Sequence, residues 1–130
     1  MRPFDPARAA DYPAVIGCDE VGRGALCGPV VVAAVWFDPA RLPPDLLAAL
    51  DDSKKLARPE RARIAEALGG VARVAAAAAS AAEVDRRGLV PATLGAMARA
   101  ASRLGVTAEV VVDGRDAPDV APLPCRAVIR

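Results

Sequence analysis

Apolar residues recur along this chain with two different periods, and the switches between them outline its elements. Val15 to Glu20 alternates, so a period-two backbone puts Val15, Gly17 and Asp19 on one face and Ile16, Cys18 and Glu20 on the other. Val30 to Phe37 is a continuous Val/Ala-rich run that reads as a buried second strand. It pairs most simply antiparallel to the first across the Gly22 to Gly28 connection. A proline-rich loop (Asp38 to Pro44), a short helical turn (Leu46 to Leu50) and a charged loop (Asp51 to Lys55) follow. Pro59 suits a first helical position, Ile64 and Leu68 share a helix face, and Gly69-Gly70 is predicted to stop that helix.

The second half alternates helix and strand. Ala81 to Arg87 is a short helix; Pro91 starts a longer one in which Leu94, Met97, Ala101 and Leu104 recur at helical spacing, with Gly105 capping it. Met97 is core packing at that spacing. Val106 to Val112 reads as a strand ending in Asp113-Gly114, Arg115 to Pro124 as a loop, and Cys125 to Ile129 as a further strand. The segment from Val71 to Ser80 stays open on its residues: Ala72 and Ala75 to Ala79 favour helix by propensity, while the Val71/Val74 spacing decides nothing. Met1 to Pro13 carries three prolines and reads as an irregular lead-in. Strands first and alternating helices and strands afterwards predict an α/β or α+β domain with a mixed sheet.

Composition narrows the chemistry. A length of 130 residues suits one domain, and 54% hydrophobic with 25% charged residues is ordinary for a globular chain. Seventeen basic against sixteen acidic residues give a net charge of +1, so any basic surface must be local. There is no histidine, which removes the commonest general base and the usual zinc ligand. Cys18, Cys27 and Cys125 are odd in number and lack a Cys-x-x-Cys spacing, so reduced thiols and a cytoplasmic location are expected. The N-terminus has Arg2 and Asp5 without an apolar segment, so no signal peptide is expected. The longest apolar stretch, Ala25 to Phe37, includes Gly28 and Pro29 and is too short for a membrane helix.

The chemistry concentrates at Ile16 to Gly24, where a strand ends in Asp19-Glu20 and runs into Gly22-Arg23-Gly24. Adjacent carboxylates beside a glycine-rich backbone offer anionic ligands to a hard cation and room for a phosphate. A solvated turn is the ordinary reading of Asp-Glu-x-Gly alone. On a straight strand the two carboxylates point apart, and Glu20 joins Asp19 only if the backbone leaves the pleat at Val21-Gly22.

DEVGRG followed by Gly28-Pro29 resembles the signature of the type 2 ribonucleases H, ribonuclease HII in bacteria. Three more blocks fall in that family's order: DDSKKL at Asp51 to Leu56, VVVDG at Val110 to Gly114 and LPCRAVI at Leu123 to Ile129. The resemblance implies a ribonuclease H-like fold, a mixed central sheet flanked by helices, with a strand within 71–80. It also implies that the first strand and the one ending at Asp113 lie side by side and parallel, in a single catalytic domain over 1–130. By the same resemblance Asp19, Glu20 and Asp113 are the catalytic metal ligands for Mn²⁺ or Mg²⁺. Gly22, Arg23 and Gly24 read the ribose 2′-hydroxyl, and Ser53, Lys54 and Lys55 contact phosphates.

The implied reaction is two-metal hydrolysis of the RNA strand of RNA–DNA hybrids, and of single ribonucleotides embedded in duplex DNA, by a monomer. Arg58, Arg61 and Arg63 read as a solvated helix face. Family members carry a fourth carboxylate in a Gly-Asp step after the strand beginning at Cys125, which this sequence does not reach. A C-terminally truncated, incomplete fold is therefore expected, and the alternative is an impaired fragment or a non-catalytic nucleic-acid binding module. Ala25, Cys27 and Gly88 depart from the family's usual proline, small apolar residue and asparagine.

Overall fold

The computed structural model describes residues 6–11, 13–23 and 27–129 and divides into two units. The larger comprises 15–36 and 74–130 and holds a five-stranded sheet. Its strands are β1 (Ile16–Val21), β2 (Val30–Trp36), β3 (Arg73–Ala79), β4 (Val110–Asp113) and β5 (Cys125–Val128), in the order β3-β2-β1-β4-β5. β1 pairs antiparallel with β2, from Ile16 opposite Trp36 to Val21 opposite Val31. β4 lies parallel to β1 on its other side, and β5 parallel to β4.

The hairpin needs its glycine. Gly22 has φ +92°, a conformation L side chains rarely adopt, and a Cβ there would stand 2.8 Å from the Pro29 carbonyl oxygen.

Alternation along the strands builds the core. Ile16 and Cys18 of β1, Val30, Val32 and Ala34 of β2, and Val110 and Val112 of β4 all turn to the buried face. The helix α4 (Leu89–Arg103) covers that face with Ala92, Ala96 and Ala100, each fully buried, beside Met97, Ala101 and Leu104. Alanines at every fourth position leave a flat helix surface that can lie close to the sheet. Thr93 is buried too, and its hydroxyl donates to the Leu89 carbonyl at 2.7 Å, so that hydroxyl is satisfied. Leu94, expected on the core stripe, is only partly buried.

The alanine-rich stretch is a strand, and tertiary contacts outvote its helix propensity. Ala77 and Ala79 of β3 are buried in the core shared with α4. β3 lies at an end of the sheet. Two of its carbonyls take guanidinium donors from α4: Arg99 to Ala78 at 2.8 Å, and Arg103 to Ala76. Arginines laid along an edge occupy acceptors that would otherwise template another strand.

α3 (Ala81–Arg87) starts at Ser80, whose Oγ accepts from the Glu83 amide at 3.1 Å. Gly88, at φ +88°, ends α3 and opens α4, which explains the glycine at that position. α4 thus begins at Leu89, two residues before the expected Pro91; Pro91 occupies the first turn, where its missing N–H is harmless. Gly105, at φ +64°, follows its end as expected. Only Val110–Asp113 of the expected strand from Val106 pairs with neighbours.

The other unit comprises 1–14 and 37–73, with α1 (Pro44–Ala49) and α2 (Arg58–Val71). Leu42, Leu46, Leu47 and Ile64 form its buried cluster, with Leu56 and Leu68 packed against it. α2 runs straight through Gly69-Gly70, the expected stop, to Val71. Neither glycine takes a positive φ. Glycine lowers helix stability by about 1 kcal/mol per residue but does not forbid helical angles. The chain leaves the helix only at Ala72, which is extended.

Candidate metal and nucleic-acid site

Register, not proximity in sequence, assembles the acidic end of the sheet. Gly17 pairs with Val111 and Cys18 with Val112, so the next residues of the two parallel strands are Asp19 and Asp113. Both are exposed, on the face opposite the buried Cys18 and Val112. Adjacent strands run about 4.8 Å apart, so Asp19 and Asp113 follow neighbouring backbone positions at the C-terminal ends of β1 and β4. The Glu20 amide donates to Asp19 Oδ1 at 2.8 Å and fixes that side chain.

Glu20 is not in this pair. β1 keeps its pleat through Val21, so Glu20 stays on the side of Ile16 and Cys18. Its side chain is 14% exposed, and Oε1 stands 3.5 Å from the Arg23 guanidinium. Oε2 is buried and has no hydrogen-bond partner among the described residues. Accordingly, no group of three or more Asp, Glu or Cys close enough to hold one ion occurs among the described residues. What is present is an all-oxygen pair plus an orphaned carboxylate oxygen next to it in sequence. That donor set fits Mg²⁺ or Mn²⁺, which bind through one or two carboxylates and keep water as the remaining ligands.

Beneath the carboxyl of Asp19, Cys18 is buried at 5% exposure. Burial, with a smaller contribution from Cys125, pushes its thiol up to about 11, so it packs as a neutral small side chain. Burial and then Glu109 also raise Cys125, while Cys27 is exposed.

A cleft of about 270 Å³ opens beside Asp113. Its rim carries Arg23, Asp113, Arg115 and Asp116, and its floor is Val90, Leu94 and Met97 of α4. Gly22 and Arg23 lie at the end of β1 as the sequence requires; Gly24 lies outside the described residues. Arg115 is the rim residue the sequence reading missed, passed over because it falls in a stretch read only as loop.

Ser53, Lys54 and Lys55 occupy an exposed turn of the other unit. The Asp52 carboxylate accepts the Lys54 amide at 3.0 Å, and Lys55 Nζ reaches Asp51 at 3.4 Å. The Asp52 amide, opposed by slight burial and aided by Lys55, holds the Asp51 carboxyl below its ordinary value. Arg61, expected to be a solvated helix residue, instead closes this turn. Its guanidinium donates to the carbonyls of Ser53 at 3.2 Å and Leu56 at 2.7 Å. The two lysines therefore stand on a braced backbone.

A mixed five-stranded sheet with an antiparallel first hairpin, a parallel β4 beside it and acids at their neighbouring ends defines an α/β protein of the ribonuclease H-like fold. Residues 16–130 match the family model of ribonuclease HII, and the chain belongs to that family. It is 49% identical over 116 residues to ribonuclease HII of Paramagnetospirillum magneticum, covering 88% of this chain and 57% of that protein. With ribonuclease HII of Rhodospirillum rubrum the identity is 50% over 122 residues, covering 89% and 54%. The chain thus spans about half the length of the curated relatives it matches.

Among solved structures, that of the PCNA:RNase HII complex from Archaeoglobus fulgidus superposes with a TM-score of 0.72 at 26% identity, covering 91% of this chain and 63% of that one. Bst-RNase HIII in complex with Mn²⁺ gives 0.68 at 25% identity, covering 89% and 42%.

Proposed function

We propose that this chain carries the acidic site of a metal-dependent endoribonuclease. The enzyme cleaves the RNA strand of RNA–DNA hybrids and single ribonucleotides embedded in duplex DNA. The observation that carries this reading is the β1–β4 register, which sets Asp19 beside Asp113. Neighbouring carboxylates offer anionic oxygens of the kind a hard divalent cation takes as ligands. Asp19 and Asp113 would hold the ion, and Glu20 would add an oxygen only by turning away from Arg23. Bound Mg²⁺ or Mn²⁺ would lower the pKa of a water and stabilise the leaving oxygen of a phosphodiester, with two ions sharing the tasks. The Mn²⁺ bound in the Bst-RNase HIII structure supports the choice of metal.

The chain's own residues do the rest by position. Gly22, and by its motif Gly24, bring main chain close to the sugar, where only a ribonucleotide offers a hydroxyl that donates and accepts. Arg23 neutralises Glu20 and borders the cleft. Ser53, Lys54 and Lys55 grip phosphates from their braced turn without reading bases. The proposed working unit is a cytoplasmic monomer, with residues 1–130 the N-terminal part of its catalytic domain.

Incubation with Mn²⁺ and a duplex containing one ribonucleotide should give a nick there and none in the all-DNA duplex. Equal cutting of both would refute the sugar-reading role. One observation favours a second reading, a non-catalytic nucleic-acid binding module: Glu20 is turned to Arg23 and stands apart from the Asp19–Asp113 pair. Duplex binding without any nick in Mn²⁺ would select it.

A further inference from the structure

The turn after β4 carries a guanidinium that neither the carboxylate pair nor the Gly22-Arg23 turn accounts for. Arg115 is exposed and lines the same 270 Å³ cleft as Arg23 and Asp113. Its backbone is anchored: Gly114 takes φ +143° and donates its amide to the Val128 carbonyl of β5 at 2.9 Å. Residue 115 therefore leaves the C-terminal end of β4, an interior strand, from a held position.

Its charge is also uncommitted. Arg23 pairs with Glu20, Arg87 and Arg99 with Glu83, and Arg126 with Glu109, whereas Arg115 has no ion pair among the described residues. The same cleft presents the carboxylate of Asp116, which repels an incoming anion unless a cation offsets it. A guanidinium does this best for a phosphate, because its planar fork matches two phosphate oxygens.

We infer that Arg115 is a phosphate-binding residue of this cleft, gripping a phosphodiester next to the one presented to Asp19 and Asp113. The inference rests on the nuclease reading above and adds to it a contact on the β4 side of the site. A grip of this kind ignores base and sugar, so it holds ribonucleotide-containing and all-DNA duplex alike.

The test is fluorescence anisotropy of a labelled duplex with one ribonucleotide, in EDTA to prevent cleavage, over a series of salt concentrations. Wild type is compared with Arg115→Gln and Arg115→Lys. One phosphate contact contributes about 0.9 to the slope of log K against log salt on a B-form duplex. Arg115→Gln should flatten the slope by about that amount and weaken binding about 5- to 10-fold at low salt, equally on an all-DNA duplex. Arg115→Lys should keep the slope, since the charge is kept, and Mn²⁺ titration of Arg115→Gln should match wild type. An unchanged slope in Arg115→Gln, with wild type binding normally, would overturn the inference and leave the nuclease reading intact. Failure of wild type to bind either duplex would remove both.

Discussion

Replacing Gly22 by alanine should destabilise the protein in a way that separates two physical effects. Gly22 takes φ +92°, and an added Cβ would meet the Pro29 carbonyl oxygen at 2.8 Å. Gly28, at the other end of the same connection, takes φ +95° but has nothing within 4 Å of its added Cβ. Left-handed backbone strain for a non-glycine residue is about 1–2 kcal/mol, and both variants suffer it. Only Gly22→Ala also forces a contact, and the obstacle is backbone at the start of β2, which cannot move like a flexible side chain. Overpacking of that kind adds about 1–3 kcal/mol. Gly22→Ala should therefore lose about 2–5 kcal/mol, a large share of the ~5–15 kcal/mol a domain has.

Urea unfolding followed by far-UV circular dichroism measures both losses, and at roughly 3–5 °C per kcal/mol thermal melting should show them as well. If Gly22→Ala were no more destabilised than Gly28→Ala, the close approach to Pro29 would carry no energetic weight and the steric half of the argument would be wrong.

Three other outcomes follow from the same structure. Asp19→Asn and Asp113→Asn should each weaken Mn²⁺ binding at least about tenfold in calorimetric titration, since each removes one of two paired ligand charges; undiminished binding by either would break the pairing argument. Arg61→Ala should speed amide exchange at Ser53 to Leu56 and lose about 1 kcal/mol, because two carbonyls forfeit their charged donor; unaltered exchange there would show that the turn holds without Arg61. Cys27 should react with a thiol reagent in the native state while Cys18 does not. The Cys18 thiol is raised by burial from 9.0 to about 11, so its contribution to stability is full below pH 9 and fades as pH rises towards about 11; a melting temperature that is flat from pH 8 to 11 in wild type and in Cys18→Ala alike would contradict this.

Much of the scaffold could be read from local pattern, because local rules govern it. The β1–β2 hairpin followed from alternation at Ile16 to Glu20, a Val/Ala run and glycines at the turn, and it formed with β1 and β2 antiparallel. The sharing of faces along β1 was also legible, since Ile16 and Cys18 are buried while Gly17 and Asp19 are exposed. Elsewhere local signals misled. Gly69-Gly70 looked like a helix stop, yet α2 passes through it, because glycine weakens a helix without forcing a positive φ. Arg61 looked like a solvated charge, and only the folded turn shows its two carbonyl partners.

By itself the amino-acid order named the candidate groups for chemistry: two adjacent carboxylates at a strand end, a third before Gly114, and no histidine. These follow from residue type and short-range spacing, which survive without coordinates. Three-dimensional packing decided the rest. Alanines 75–79 became a strand because β2 and α4 offered them a sheet edge and a core. Asp113 came to stand beside Asp19 because a parallel ladder joined segments more than ninety residues apart. Glu20 was left facing Arg23 because β1 kept its pleat to Val21. Each of these is a pairing between distant parts of the chain, and the free energy of such a pairing belongs to both partners, so no window of neighbouring residues contains it.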